Sequence, residues 1–245
     1  MTLGERLLEV VEREERAVCF TVLGGERAGA KLLVALEGGE TIGDGPPGLA
    51  AHAAEIQRNG VVELEGEQVY AEVYGPPPRL VVFGATDVAE ALCAAAKLVG
   101  WDTIVVDARA SFATPERLPS ADRILVVWPQ DALPELALDR DTAVVCLNHD
   151  ERFDIPALQG ALSSEAFYVG AIGSRKTQAG RREKLLAAGV SEEALARIHG
   201  PAGLDLGADT PAETGLAILG EALAARAGRP GRALRDSATP IHVEV

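Results

Sequence analysis

Residues 79–109 read RLVVFGATDVAEALCAAAKLVGWDTIVVDAR, and this stretch decides the fold. Leu80-Val81-Val82-Phe83 is a β-rich apolar run bounded by turn residues, the pattern of a parallel strand covered on both faces. Gly84 permits a tight turn, and the helix expected from Asp87 to Val99 opens with amides that can receive an anion at its positive end. Gly100 stops that helix and Thr103-Ile104-Val105-Val106 forms the next strand. Asp107 then follows at about the 20-residue distance where dinucleotide folds place a ribose-binding acid. The glycine fingerprint is incomplete, because Thr86 stands at its second glycine and Ala89 at its third. Two readings are therefore open. Gly84, Ala85, Thr86 and Asp87 form a dinucleotide turn with Asp107 and Arg109 beside it, or the first turn of a parallel sheet binds nothing.

Outward from this unit, the apolar runs at 80–83, 103–106, 124–128, 143–147 and 167–170 are each followed by a turn and usually a helix. That alternation predicts an α/β, doubly wound, Rossmann-like parallel sheet. Right-handed crossovers in the order 3-2-1-4-5 set the fourth strand beside the first. Asn148-His149-Asp150 then lies next to the Gly84 turn, where His149 is either a surface or capping residue or a ligand contact. Upstream, Gly75-Pro76-Pro77-Pro78 acts as a stiff spacer and marks a boundary. It separates a small α+β domain over 1–75 from the Rossmann-like domain over 79–227, with a tail over 228–245 that is extended or packs against a partner. In the first domain, Leu3, Leu7, Leu8, Val10 and Val11 predict an amphipathic helix over 2–15. Strands follow at 17–23 and 31–36, then a helix over 47–58. A hairpin pairs 61–64 with 69–74 through Glu65-Gly66-Glu67.

A second glycine turn points to an anionic ligand. Tyr168-Val169-Gly170-Ala171-Ile172-Gly173-Ser174-Arg175-Lys176 runs from the fifth strand into a helix capped by Ser174. Cations in a first helical turn oppose the helix dipole, so Arg175 and Lys176 there suit a bound anion, with Gly173 and Ser174 supplying amides and Arg181 and Arg182 about two turns on. The alternative is a solvated basic helix start. No GK[ST] ending is present, so hydrolysis of a nucleoside triphosphate is not indicated. Further on, Thr210, Pro211 and Glu213 form a capping box for the last helix. Asp205 and Asp209, in the loop before it, are two carboxylates without further clustered ligands, and no metal site is assigned.

Composition bounds the partners. The 245-residue chain is 47% hydrophobic and carries a net charge of −14. Nucleic acid would be repelled by most of this surface. No apolar run reaches the ~20 residues of a membrane span, and Met1 to Arg16 is charged where a signal peptide is apolar, so a cytoplasmic protein is expected. Cys19, Cys93 and Cys146 lack CxxC spacing and read as buried reduced thiols.

Three segments carry a family resemblance: residues 79–122; NHDERFDIPALQGAL together with YVGAIGSRKTQAGRREKL; and GPAGLDLGADTPAETGLAIL. In this order and spacing they resemble the carboxyl-terminal domain of the XdhC/CoxI family. The resemblance implies a maturation factor for molybdenum hydroxylases such as xanthine and carbon monoxide dehydrogenase. It implies that such a protein holds the molybdenum cofactor, as molybdopterin or its cytosine dinucleotide, and protects it during sulfuration. Delivery to the apo hydroxylase follows, with a cysteine desulfurase as a further partner and a homodimer as the assembly. The family turn GAGHVA has Thr86 and Asp87 in place of its second glycine and its histidine. The family's amino-terminal GSxPRxxGxxM and GGCVE segments are replaced by Gly24–Lys31 and Thr41–Pro47, and the cysteine of the latter is missing.

Two other functional classes fit the same fold. An NAD(P)-dependent oxidoreductase would use Asp107 for an NAD ribose or Arg109 for a 2′-phosphate. It lacks a proton-transfer set, since Tyr168 has Ile172 where a Tyr-x-x-x-Lys lysine would stand. The other is a regulatory protein with a vestigial pocket. The favoured expectation is a cofactor-binding accessory protein with no catalytic residue of its own.

Overall fold

The computed structural model describes residues 1–56, 58–148 and 150–236, in two units. One comprises Met1–Pro76 with the described residues 233–236; the other is Pro77–Arg232. His149 and residues 237–245 of the tail lie outside the described residues.

The first unit opens with α1 (Leu3–Glu12), where the Thr2 side chain and Glu5 form a reciprocal cap. Strands β1 (Ala17–Val22), β2 (Lys31–Ala35), β3 (Thr41–Gly43), β4 (Gly60–Leu64) and β5 (Glu67–Tyr74) make an antiparallel sheet in the order β3-β2-β1-β5-β4. Alternation sends Val18, Phe20, Leu32 and Val34 to one face, packed with Leu49 and Ala53. Cys19 and Leu33 go to the other, under Val10. The hairpin forms as expected, Val62 opposite Val69 and Leu64 opposite Glu67. Its turn residues Glu65 and Gly66 both have positive φ, the handedness that matches strand twist. The segment expected as an α-helix over 47–58 is a 3-10 helix, Pro47–Glu55. Strand β3 is too short and glycine-bounded to show in a hydropathy pattern.

The second unit is a six-stranded parallel sheet built from β6 (Arg79–Phe83), β7 (Asp102–Val106), β8 (Arg123–Leu125), β9 (Thr142–Cys146), β10 (Tyr168–Ala171) and β11 (Ile198–His199). Its order is β11-β10-β9-β6-β7-β8, so the first strand sits between the second and the fourth as right-handed crossovers require. The helices are α2 (Asp87–Leu98), α3 (Pro129–Leu136), α4 (Glu151–Leu162), α5 (Arg175–Ala187), α6 (Glu192–Leu195) and α7 (Pro211–Arg226). One core lies under α2 and α7, around Leu80, Val82, Leu92, Tyr168 and Ile218; the other, under α3 and α4, centres on Val81, Phe83, Val144 and Phe153. The third strand is shorter than its apolar run, because Pro129 opens α3. Val126, Val127 and Trp128 consequently leave the sheet and are exposed. Strand β11 escaped the sequence reading because two residues carry no periodicity. Among the described residues no helix is long and apolar enough to cross a membrane.

Candidate functional site

The carboxyl ends of β6, β7, β9 and β10 gather the expected site residues on one edge of the sheet. Gly84 makes the tight approach there: its φ is +118°, and a Cβ would sit 3.2 Å from the Leu147 carbonyl carbon and 3.3 Å from the Asn148 nitrogen. The first turn thus abuts the end of the fourth strand. Asp150, two residues beyond Asn148, caps α4 through the Arg152 amide and pairs with the Arg152 guanidinium at 2.7 Å.

The first turn spends its amides internally. Ala85 donates to Asp107 Oδ2 at 2.8 Å, and Thr86 donates to the Gly84 carbonyl at 3.1 Å. The Thr86 hydroxyl, as helix cap, accepts from Ala89 at 3.2 Å. Asp107 has 0% exposure, and it also takes the Arg109 amide and Nε at Oδ1, 2.9 Å each, and an Arg109 terminal nitrogen at Oδ2, 2.6 Å. Burial by itself would raise this carboxyl. The Arg109 side chain, the Ala85 and Arg109 amides and the Arg109 charge outweigh that and hold it below the usual range. Where a ribose-binding acid would face the crevice, the outward group is Arg109, whose side chain is 48% exposed. Asp87 pairs with Arg117 at 3.4 Å. The sequence reading missed Arg117 and Phe112, the exposed ring on which Arg109 and Arg117 both stack. No spacing rule links them to the turn.

The second turn keeps its donors. Ser174 caps α5 by accepting the Thr177 amide at 3.2 Å. Among the described residues, no backbone acceptor takes the amides of Gly173, Ser174, Arg175 or Lys176. Arg175 and Lys176 are exposed, and no carboxylate pairs with either there. The expectation that Arg181 and Arg182 extend this cationic cluster is corrected. Arg181 is buried, donating through Nε to Asp154 at 2.9 Å and through both terminal nitrogens to the Ile172 carbonyl at 3.1 Å. Arg182 pairs with Glu192. Arg181 therefore braces the backbone of the turn from beneath while Arg175 and Lys176 meet solvent. Strands β6 and β10 flank β9, which sets the two turns about 10 Å apart at the sheet edge.

A third polar group was not foreseen. Tyr168 donates to Glu221 Oε2 at 2.6 Å, the Gly203 amide donates to the same oxygen at 2.7 Å, and His199 Nδ1 lies 3.1 Å from Oε1. Burial acts to raise Glu221, yet these hydrogen bonds together bring it down to about 2. Burial and Glu221 push the Tyr168 hydroxyl well up, so it stays protonated near neutrality. The network ties the loop before α7 to β10 and β11. The capping box then completes that loop: Glu213 Oε2 accepts the Thr210 and Asp209 amides at 2.9 and 2.8 Å. Asp205 and Asp209 are exposed. Among the described residues, no three His, Cys, Asp or Glu side chains converge as a metal site. All three cysteines are buried and free, and burial pushes Cys93 up to about 12.

A doubly wound sheet with two glycine turns at its carboxyl edge defines a Rossmann-type domain. The family model for the XdhC Rossmann domain matches residues 80–222, and the chain belongs to that family. It is 31% identical over 173 residues to an uncharacterized protein, YqeB, of Escherichia coli K12, covering 70% of this chain and 32% of the relative. It is 28% identical over 151 residues to a probable xanthine dehydrogenase subunit of Bacillus subtilis 168, covering 62% and 44%. With the molybdenum cofactor insertion chaperone PaoD of Escherichia coli K12 it shares 29% over 153 residues, covering 62% and 42%. The matches span less than half the length of each curated relative. A crystal structure of a xanthine dehydrogenase from Bacillus halodurans aligns with TM-score 0.67 at 24% identity, over 96% of this chain and 66% of that one, a likeness of fold.

Proposed function

We propose that this chain holds the molybdenum cofactor and assists its insertion into a molybdenum hydroxylase, without turnover of its own. Support from the family comes from PaoD, named as a molybdenum cofactor insertion chaperone, and from the relative named as a xanthine dehydrogenase subunit. The observation that carries the reading is the start of α5. Open amides at Gly173 to Lys176, the positive end of a 13-residue helix and two cations without carboxylate partners suit the phosphate of a pterin ligand. When bound, the cofactor supplies the redox centre of the enzyme that receives it. Ser174, Arg175 and Lys176 would hold its phosphate, and Arg181 would keep the turn in shape through the Ile172 carbonyl. Gly84 to Asp87 would contribute less, because the Ala85 and Thr86 amides are already engaged. The apo hydroxylase, a cysteine desulfurase and a second copy of this chain are the partners this role entails, in the cytoplasm.

The test is mass spectrometry of small molecules retained by the natively purified protein, followed by calorimetry with the molybdopterin so identified. Arg175→Ala and Lys176→Ala are each expected to lose roughly tenfold in affinity, the weight of one charge-assisted bond. Retention of no pterin, equal affinity of both variants and wild type, or steady hydride transfer from NAD(P)H would overturn the reading.

A further inference from the structure

The loop between β7 and β8 brings two arginines to one aromatic ring. Arg109 Cζ lies 4.5 Å and Arg117 Cζ 4.9 Å from the centroid of Phe112, which is 38% exposed. The loop is fixed from below. Ala113 and Leu118 are buried in the core, and the Ser120 hydroxyl and amide donate to Glu90 of α2 at 2.6 and 3.1 Å.

Stacking on a ring holds a guanidinium by its face and leaves its N–H edge to bind in plane. Arg109 directs Nε and one terminal nitrogen to Asp107, and the other terminal nitrogen is uncommitted among the described residues. Besides the ring, Arg117 meets Asp87 at 3.4 Å, with no other carboxylate pairing with it among the described residues, and the Asp87 side chain is 81% exposed. A long, solvated pair of this kind is readily exchanged for a better anion. Asp107 is enclosed by Arg109 and Ala85, and Asp150, whose charge also reaches Arg109, is itself paired with Arg152.

We propose that Arg109 and Arg117, stacked on Phe112, form a subsite for a phosphomonoester on the ribose of a nucleotide, with Asp87 as a displaceable counter-ion. The phosphate takes the free edge of Arg109 and the guanidinium that Asp87 vacates, both bidentate-capable donors. A bare ribose gains nothing there, because the carboxylate that would accept its hydroxyls is buried and saturated. The subsite stands on different residues from the α5 site and does not depend on it.

NADP+ and NAD+ differ by one such phosphomonoester, and calorimetric titration of the full chain with each at low ionic strength reads the difference. NADP+ is expected to bind at least about tenfold more tightly. Arg117→Ala, with an unchanged thermal melt, should abolish that preference, and Asp87→Asn should raise NADP+ affinity several-fold by releasing Arg117. Equal or tighter binding of NAD+, no binding of NADP+, or an Arg117→Ala protein that keeps the preference would overturn the subsite. An Asp87→Asn protein with no gain would overturn the counter-ion.

Discussion

Replacing Asp107 with alanine removes an acceptor from a place that water does not reach. Asp107 is fully enclosed and Ala85 nearly so, so the Ala85 amide that donates at 2.8 Å has no substitute partner. An orphaned buried donor costs about 1–3 kcal/mol. The freed Arg109 adds less, because its half-exposed side chain can turn to water and an ion pair with one solvated partner is heavily screened. The expected loss is therefore about 2–4 kcal/mol. For a unit the size of Pro77–Arg232 that lowers the melting temperature by roughly 5–15 °C. Thermal unfolding followed by circular dichroism at pH 7 measures it.

The pH dependence has a definite sign. Asp107 is held below its ordinary value of 3.8, so its contribution is complete above that value and is lost as pH falls through the lower folded one. The gap between wild type and Asp107→Ala should be constant near neutrality and narrow below about pH 4. A melting temperature within about 2 °C of wild type at pH 7 would refute the account. If the variant instead lost affinity for NAD+ at unchanged stability, the carboxylate would be a ribose acceptor and not a tether.

Two further substitution pairs test the packing that supports the site. At Gly215 in α7 a Cβ would lie 2.9 Å from the Leu92 nitrogen and 3.1 Å from the Ala91 carbonyl carbon, so Gly215→Ala should destabilise by about 1–3 kcal/mol despite alanine's better helix propensity. Gly180→Ala in α5, where nothing lies within 4 Å, should stabilise by about 0.5–1 kcal/mol; chemical denaturation of both decides, and the same sign for the two would sink the reasoning. Arg181→Met takes the guanidinium away from the buried Asp154 carboxylate and should cost about 3–5 kcal/mol, most of it recovered in Arg181→Met with Asp154→Leu. A double variant no more stable than the single one would show that the pair is not a closed unit.

Much of the architecture was legible along the chain because its causes are local. Five of the six parallel strands are apolar runs between turn residues, and their order follows from the handedness of crossovers. The caps at Ser174 and at Thr210 with Glu213 are contacts three residues long, readable as spacing. The short strands β3 and β11, unlike β8, lie in no apolar run and appear only as partners of their neighbours.

What each charged side chain does was a different matter. Arg175, Lys176, Arg181 and Arg182 form one basic run in sequence. Successive helical positions turn by about 100°, so the tertiary fold sends Arg181 inward to Asp154, 27 residues away, and leaves Arg175 and Lys176 facing solvent. Asp107 occupies the position of a ribose acid by spacing, and folding encloses it between the Ala85 amide and Arg109. Asp87 finds Arg117, 30 residues on, because the β7–β8 loop is anchored against α2. Residue type and spacing determined that this chain has two glycine turns at one sheet edge. Through-space charge pairing and burial, which act between residues far apart in sequence, decided which of those turns still has donors to offer.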